Sequence, residues 1–530
     1  MNKKIFYLLI TGLMITSSCS DSFLDSEPIT LVTDGNFYKT KADAEVAIVG
    51  CYAGIQEMYA SGMAFPVASV VLSDNTFGGT GNNDGLGYQM VDEFDLSRST
   101  GDVNMFDGNW IAYYKALYRI NVLLQKMDQI DWEEDDAYRT SIESQARFLR
   151  AFIYFDMVRL WERVPLLTEP LNGNIPQSEP EDIYTVIAED LVFAASNGGT
   201  SVEPGRINSF AAKALLARVY LFYTGYYSAT DLVGVVSQSD VLSGLEDIIT
   251  SGNYGLIPDF KDLWPASSST VNSSNDGLTS TYAGKDNMET LFAVKYNITS
   301  DYNGNTDSNH WLVMMGLRVQ SFSPYGRGWG ACTVSPDFHA AFDPDDNRRD
   351  ASIIDISGEG LDFDTGDQRE FTGFTNKKYT PLSNPDGQDL AEANEGVSFQ
   401  ISQFQDYVVI RYADVLLMAA ELGSSNAQTY FDQVRTRAGL SSRTVSQANI
   451  LEERRFEFAL EGIRYWDLLR QGVAVAAATI AESTTVQNGG VSVVKTIDES
   501  NVIKTRGFQM IPQNQITRSN GVLTQNAGWL

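Results

Sequence analysis

Histidine and cysteine are both scarce: the chain has two histidines and three cysteines in 530 residues. His310 and His339 stand 29 residues apart in an irregular stretch, without a second metal ligand at short spacing. Three cysteines are too few for a disulfide framework in a chain of this length. The sequence also lacks a G-x-S-x-G nucleophile, a P-loop, an H-E-x-x-H zinc motif and a dinucleotide-binding fingerprint. We therefore predict a protein that is not an enzyme and that holds no cofactor.

Basic charge is scarce as well. The chain has 38 Lys and Arg against 68 Asp and Glu, for a net charge of −30, and no basic cluster follows the first four residues. A nucleic-acid partner is disfavoured, because binding to phosphates requires clustered basic charge. Acidic charge of this size fits neutral or cationic ligands better than polyanions. Beyond residues 5–15, no apolar run approaches the roughly 18 residues that span a bilayer.

The first 19 residues have the pattern of a secretion signal. Lys3 and Lys4 precede the apolar run, and small polar residues then lead to Cys19. We predict that residues 1–18 are a lipoprotein signal peptide and that Cys19 becomes the acylated first residue, because two or more chains of the palmitate type hold a protein stably on a membrane. Thr16 occupies a position where such signals commonly carry Leu, so a plain cleaved signal is the alternative. Residues 19–39 would form a tether.

Apolar residues recur at helical spacing through much of the remaining chain. Thr40 is placed to cap the first helix, and Cys51 lies on its apolar face, where we expect a buried, unreactive thiol. Pairing of Cys51 with Cys332 stays open. The periodicity predicts helices over residues 40–60, 110–129, 138–161, 180–195, 206–227, 408–422 and 426–438.

Two stretches interrupt this pattern, residues 73–101 and 252–400, and both are rich in Gly, Asn and Asp. Long insertions without regular structure are usually functional in compact domains, although this composition is also typical of flexible linkers. We predict loops in both stretches. Short strands fit residues 291–296 and 378–379 within the second one.

Residues 450–472 predict two helical pieces separated by Gly462, which can adopt positive φ and end the first piece. Glu453, Glu457 and Glu461 stand four apart on one helical face, as carboxylates do in some metal sites, and arginines lie beside them. We interpret the three glutamates as structural ion-pairing residues, because the histidines of a di-iron site are missing.

The sequence of residues 450–472, ILEERRFEFALEGIRYWDLLRQG, resembles the C-terminal signature of the SusD/RagB family of bacterial surface nutrient-binding lipoproteins. Further blocks resemble the same family in the same order. They are ARFLRAFIYFDMVRLWERVPL, RINSFAAKALLARVYLF, VVIRYADVLLMAAEL and GFQMIPQNQITRSNGVLTQNAGW. Because the blocks extend over residues 145–529, the resemblance includes most of the predicted helices. It says least about residues 73–101 and 252–400, where ligand choice would be encoded.

The resemblance implies a mainly α fold in which tetratricopeptide-like helical hairpins form a scaffold, with long irregular loops and a few short strands. Such hairpins bury their apolar faces only by stacking. No strict 34-residue repeat is visible, so this architecture rests on the resemblance alone. We expect one domain over residues 40–530, with the scaffold at 40–251 and 401–472, a ligand-face insertion at 252–400 and a tail at 473–530.

The resemblance also implies a function. The protein would be lipid-anchored and surface-exposed on the outer membrane, where it captures an oligosaccharide and closes as a lid over a SusC-like TonB-dependent transporter, without reacting with the ligand. The alternatives are a peptide-binding member of the same family, a surface glycoside hydrolase whose carboxylates the sequence does not locate, and a scaffold without ligand. Few basic residues and several Trp and Tyr in the insertion favour neutral glycans over peptides.

Sugar rings stack on Trp and Tyr faces, and sugar hydroxyls form hydrogen bonds with Asn, Asp and Arg. Core packing is the alternative for each aromatic residue, and no family motif matches these positions residue by residue. Structural calcium is a further alternative at the oxygen-rich residues 343–350, which lack the EF-hand pattern. The candidate ligand residues are Trp311, Tyr325 and Trp329 in the insertion and Asp74, Asn75 and Phe77 in the earlier loop.

Overall fold

The structure is a computed structural model that describes residues 37–60, 62–171 and 173–529. The predicted signal peptide, the predicted lipid anchor Cys19 and most of the predicted tether at 19–39 lie outside the described residues. Within the part that is described, no helix is both long enough and apolar enough to cross a membrane.

Helices dominate the described chain. At the first one, the Thr40 hydroxyl accepts a hydrogen bond from the Asp43 N–H and the Asp43 carboxylate accepts one from the Thr40 N–H, so the predicted cap is a capping box. The helices are α1 (Lys41–Tyr59), α2 (Phe65–Val71), α3 (Gly87–Asp92), α4 (Asp107–Lys126), α5 (Asp136–Trp161), α6 (Pro180–Asn197), α7 (Ser209–Tyr227), α8 (Gln238–Ser251), α9 (Pro265–Ser268), α10 (Pro336–Ala341), α11 (Arg348–Ser352), α12 (Leu390–Glu395), α13 (Tyr412–Glu421), α14 (Ala427–Arg437), α15 (Gln447–Glu457), α16 (Arg464–Leu469), α17 (Val473–Ile480), α18 (Glu499–Lys504) and α19 (Gln513–Arg518).

The longer helices pack as stacked neighbours. Helix α1 packs on α4, and α4 to α8 then pack each on the next in chain order. Helix α13 continues the stack, because it packs on both α8 and α14. This arrangement buries the small and apolar faces of successive helices against one another, and it confirms the mainly α scaffold of helical hairpins.

Strands are short and, in the described residues, pair only two at a time. The strand at Thr290–Val294 in the insertion pairs with the one at Tyr407–Arg411, and it confirms the strand predicted near residues 291–296, whereas residues 378–379 lie in a turn. The antiparallel pairs are β1 (Thr76–Gly79) with β7 (Ala331–Val334), β2 (Ser269–Val271) with β3 (Leu278–Ser280), β4 (Thr290–Val294) with β10 (Tyr407–Arg411), β8 (Ile353–Asp355) with β9 (Phe374–Asn376), and β11 (Glu482–Asn488) with β12 (Val491–Ile497); β5 (Leu317–Arg318) pairs in parallel with β6 (Arg327–Gly328).

One helix prediction is wrong at its start. Residues 408–411 belong to β10, and the helix α13 begins only at Tyr412. Val408, Val409 and Ile410 are β-branched, which favours an extended backbone when a neighbouring strand is available, and β4 supplies that strand. The sequence shows the apolar spacing of this segment but not its distant partner.

The C-terminal half confirms two predictions. Gly462 has a φ of 76° and lies between α15 and α16, as expected for a residue that ends a helix. Glu453, Glu457 and Glu461 are buried in ion pairs with Arg348 or Arg411 at 2.7 to 2.8 Å. The three carboxylates therefore join chain segments and do not form an open site.

Cys51 and Cys332 are both buried and unpaired. Burial raises the pKa of the Cys51 thiol to about 12, which keeps it protonated and unreactive at neutral pH. Around them, one apolar cluster reaches from Ala44 on α1 to Trp529 near the end of the chain, so the scaffold and the insertion share a core.

Candidate ligand-binding face

The two stretches predicted as loops meet in the fold. Strand β1 from the earlier stretch pairs with β7 from the insertion, with Thr76 opposite Val334 and Gly79 opposite Ala331. The prediction of a loop over residues 73–101 is thus wrong in part, since this stretch contains β1 and α3 and is buried over most of its length. The pairing fixes the insertion against the N-terminal half of the chain.

The three candidates in the earlier stretch hold it to the scaffold. Asp74 forms ion pairs with Arg464 at 2.8 Å and Arg455 at 2.9 Å, and the side-chain oxygen of Asn75 accepts a hydrogen bond from Arg455. The Phe77 ring is buried. Contacts of this kind stabilise the fold, and they leave no ring face of Phe77 open to a ligand, so the structure lends no support to these three as ligand residues.

Trp311 and Tyr325 are packing residues in this structure. Trp311 is 2% exposed, and its ring centroid lies 5.3 Å from that of Tyr379 and 5.4 Å from that of Tyr407. Tyr325 is buried, and its hydroxyl donates a hydrogen bond to Glu359 at 2.7 Å. Burial and the neighbouring Glu359 carboxylate raise the pKa of Tyr325. Stacking of a sugar on either ring would require the core to open, so the structure lends no support to Trp311 or Tyr325 as ligand residues.

Trp329 differs from the other aromatic candidates, because it is only half buried. The guanidinium carbon of Arg318 lies 5.7 Å from the Trp329 ring centroid. The Phe399 ring, also half buried, lies 5.9 Å away from it at an interplanar angle of 45°. Trp329 therefore stands at the surface, held between a cation and a second aromatic ring.

Two further side chains at this surface escaped prediction. Phe399 is covered by Arg327, whose guanidinium carbon lies 3.9 Å from the ring centroid. Tyr302 is 71% exposed, and its hydroxyl lies 3.0 Å from the Ser398 hydroxyl, directly beside Phe399 in the chain. We call Tyr302, Trp329 and Phe399 the aromatic face. Tyr302 was visible in the sequence as one of many dispersed aromatics, whereas a single Phe in a polar segment gave no signal.

Charged residues from both stretches lie near Trp329. Arg318 forms ion pairs with Asp84 at 3.1 Å and with Asp367 at 2.9 Å. Asp84 comes from the earlier stretch and Asp367 from the insertion, so their shared arginine joins the two segments beneath the aromatic face. On the other side, Arg327 pairs with Glu392 at 2.8 Å.

The comparisons with known proteins fit this architecture. Residues 364–529 match a family model described as the SusD family, and residues 27–221 match a model described as starch-binding associating with outer membrane. The chain belongs to the SusD/RagB family. Together the two matches include both ends of the helical scaffold.

Relatives of this SusD/RagB protein are distant but match over most of their length. A SusD-like protein of Bacteroides ovatus is 24% identical over 88% of this chain and 82% of its own length, and SusD-like protein P2 of Formosa agariphila is 25% identical over 88% and 90%. Surface glycan-binding protein A from Bacteroides thetaiotaomicron, solved in complex with laminarihexaose, superposes with a TM-score of 0.72 at 22% identity, over 92% of this chain and all of that one. A laminarin-binding SusD-like protein superposes with a TM-score of 0.70 at 26% identity, over 92% and 99%. These structures share the fold.

Both histidines of this SusD/RagB protein make local packing or hydrogen-bond contacts. His310 is hydrogen-bonded to the Ser300 hydroxyl at 3.1 Å, and His339 stacks on Phe374. In the described part of the chain, no group of three or more His, Cys, Asp and Glu is arranged to hold a metal ion. In the segment 343–350, Asp346 is buried against Arg348 at 2.7 Å, so the structure lends no support to calcium there.

Proposed function

We propose that this protein binds a glycan at the aromatic face and passes it, chemically unchanged, to a transporter in the outer membrane. The observation that supports the proposal is a surface with three partly exposed aromatic rings, mounted on a stacked helical scaffold. Rings of this kind suit the flat C–H arrays of sugars, and a rigid support keeps the loss of entropy on binding small.

The relatives add support from outside the chain. One solved neighbour contains laminarihexaose and another is named for laminarin binding, while the family model for residues 27–221 is described as starch-binding. Neutral glucans are therefore the first ligands to try.

The transporter, the lid action and the anchor belong to the same proposal. Acylation at Cys19 would hold the protein on the cell surface, and closure over a SusC-like TonB-dependent channel would deliver the glycan. Incorporation of a labelled fatty acid into the wild-type protein but not into Cys19→Ser tests the anchor. Copurification of a β-barrel transporter with the acylated protein tests the partner.

Calorimetric titration of residues 20–530 tests the ligand. The titrants are laminarihexaose, then a panel of plant, host and microbial glycans, then a peptide pool. We expect one glycan class to bind, and chromatography of the bound glycan to show no cleavage products. Cleavage would show that the protein is a glycoside hydrolase. Binding of peptides alone would instead support a peptide-binding member of the family.

Variants locate the site. Trp329→Ala and Phe399→Ala should each weaken glycan binding by roughly 10-fold or more, because each removes a stacking surface. The matched control is Tyr118→Ala, which removes an exposed aromatic ring on α4, away from the aromatic face. If both variants of the aromatic face bind the glycan as tightly as the wild type does, this placement of the site is contradicted.

A further inference from the structure

The charges beside Trp329 are arranged with the cation beneath and the anions outside. The Arg318 side chain is 10% exposed, whereas those of Asp84 and Asp367 are 46% and 42% exposed. The two carboxylates are therefore much more accessible to a molecule from solvent than the guanidinium is. Asp364 is exposed nearby, where its backbone exchanges hydrogen bonds with Gln320.

Arg318 is already engaged by two carboxylates of the protein, which compete with an anionic ligand. An arginine that recognises a carboxylate or sulfate does so through two parallel N–H donors of its fork. Here Nε donates to Asp367, the terminal nitrogens face Asp84, and Nη1 also lies 3.5 Å from the Trp329 carbonyl oxygen. The guanidinium is thus engaged mainly by carboxylates of the protein itself.

The other cations around this surface are occupied in the same way. Arg327 lies over Phe399 and pairs with Glu392, and Lys377 pairs with Glu359 at 3.0 Å. Arg369 differs, because its guanidinium donates to three backbone carbonyl oxygens of the segment Asn82–Gly85 and not to a carboxylate, but this side chain is buried. The solvent side of this surface thus presents aromatic rings and carboxylates, and its exposed cations are paired.

We propose that Asp84 and Asp367 act as a charge filter, which makes the aromatic face select uncharged glycans and reject chains that carry uronate or sulfate groups. This inference rests on the proposed function, because it assigns a ligand class to the same site. Rejection has two causes. The exposed carboxylates repel an anion, and Arg318, the cation over Trp329, is paired with both of them. Two residues from separate segments thus set specificity without touching the sugar ring that stacks on Trp329.

The preference for uncharged over anionic glycans should depend on the salt concentration. Like charges a few ångströms apart at a surface repel appreciably at low ionic strength, and the repulsion is screened once the Debye length falls toward the separation of the charges. A purely structural role for the two aspartates would instead change the affinity for neutral and anionic glycans alike.

Matched pairs of polymers with the same backbone provide the test. We would titrate residues 20–530, a range that contains the whole continuous core, with laminarin and carboxymethylated laminarin and with dextran and dextran sulfate, at 20 and 300 mM NaCl. The proteins are the wild type, the double variant Asp84→Asn/Asp367→Asn, and Asp128→Asn as a control for loss of an exposed carboxylate on the scaffold.

For the backbone that binds, we expect the wild type and Asp128→Asn to prefer the neutral member by roughly 10-fold or more at 20 mM salt. The double variant should narrow the preference to about 3-fold or less, because it removes two anions and frees Arg318, while its affinity for the neutral member changes by less than about 3-fold. The narrowing should come from tighter binding of the anionic member.

Two results would overturn the filter while the proposed function stands: an unchanged preference in the double variant, or a wild type that binds the anionic member more tightly than the neutral one. If peptides bind and no glycan of the wider panel does, the proposed function is contradicted, and so is the charge filter that rests on it.

Discussion

Glu457 illustrates how single residues hold this fold together. Its buried carboxylate faces Arg348 at 3.1 Å, Arg411 at 2.8 Å and Arg437 at 2.5 Å, which come from three separate segments. Opposite charges in the protein interior offset their desolvation only while every partner is present.

Glu457→Gln should therefore destabilise the protein by about 3–5 kcal/mol, since it leaves three buried arginines short of a counter-charge. Urea denaturation followed by far-UV circular dichroism measures the loss. Arg443→Ala is the matched control, because the Arg443–Glu452 pair is exposed on both sides and should cost at most about 1 kcal/mol. Equal losses in the two variants would contradict the view that burial sets the cost.

Asp414 makes a second prediction, on pH. Burial alone would raise the pKa of Asp414, but Arg218 at 2.7 Å and Arg454 at 2.5 Å outweigh burial and lower this pKa to about 2. Because the folded pKa lies below the unfolded value near 4, the charged carboxylate contributes stability above about pH 4, and this contribution of about 2 kcal/mol is lost as the pH falls toward 2.

The test compares the free energy of unfolding of the wild type with that of Asp414→Asn between pH 3 and pH 7. The difference in the free energy of unfolding between the two proteins should be constant above about pH 5 and should narrow as the pH approaches 3. A difference that widens on acidification would contradict a lowered pKa of Asp414 in the folded protein.

The outcome for single residues shows what sequence can and cannot predict. Thr40 and Gly462 were predicted correctly because a cap and a helix stop are local, decided by a few neighbouring residues. Trp311 and Trp329 look equivalent in the sequence, yet one lies in the core and the other at the surface. That difference depends on Tyr379, Tyr407 and the strand pairing that brings them together, and none of these contacts is local.

At the scale of elements, close approach of two helices depends on glycine in α7. A Cβ at Gly225 would collide with the backbone carbonyl of Arg470, directly after α16. In an exposed helix, Gly→Ala is favourable by roughly 1 kcal/mol. At Gly225, the backbone of α7 would have to move away from that of Arg470, and overpacking of this kind costs roughly 1–3 kcal/mol of stability.

Gly225→Ala should therefore lower the stability of the protein, in spite of the better helix propensity of alanine. Gly244→Ala in α8 is the matched change, since its Cβ would meet only the flexible Lys213 side chain at 3.4 Å, and it should raise stability by up to about 1 kcal/mol. Thermal denaturation of both variants decides the point, and a gain of stability in both would show that α7 and α16 can separate without cost.

Elements were predicted well where their own residues decide them and poorly where a distant segment does. The long helices α1, α5 and α6 follow the apolar spacing to within a few residues at each end. The strand β10 was predicted as helix, because only its pairing with β4, more than 100 residues earlier, makes it extended. Strand β1 was missed for the same reason, since its partner β7 lies in the insertion.

At the scale of the whole molecule, the C-terminal tail and the N-terminal helices complete one core. The N–H of Gln509 donates to the Leu160 carbonyl at 2.7 Å, and the Trp161 indole donates to the Met510 carbonyl at 3.1 Å, so the C-terminal tail is bonded to α5. The segments that match the two family models are far apart in sequence and share this core. We therefore expect them to unfold together, as one cooperative unit.

Trp529→Ala tests this cooperativity from the last turn of the chain. Trp529 is buried, and its indole donates to the Phe508 carbonyl at 2.8 Å, so its removal should cost about 3–5 kcal/mol. In calorimetry the single transition of the wild type should move to lower temperature as a whole, and circular dichroism should give the same midpoint. The control Val522→Ala, at a partly exposed position of the same tail, should leave the midpoint within about 2 °C. Two separate transitions, only one of them shifted, would show that the tail and its neighbours fold independently of the N-terminal helices.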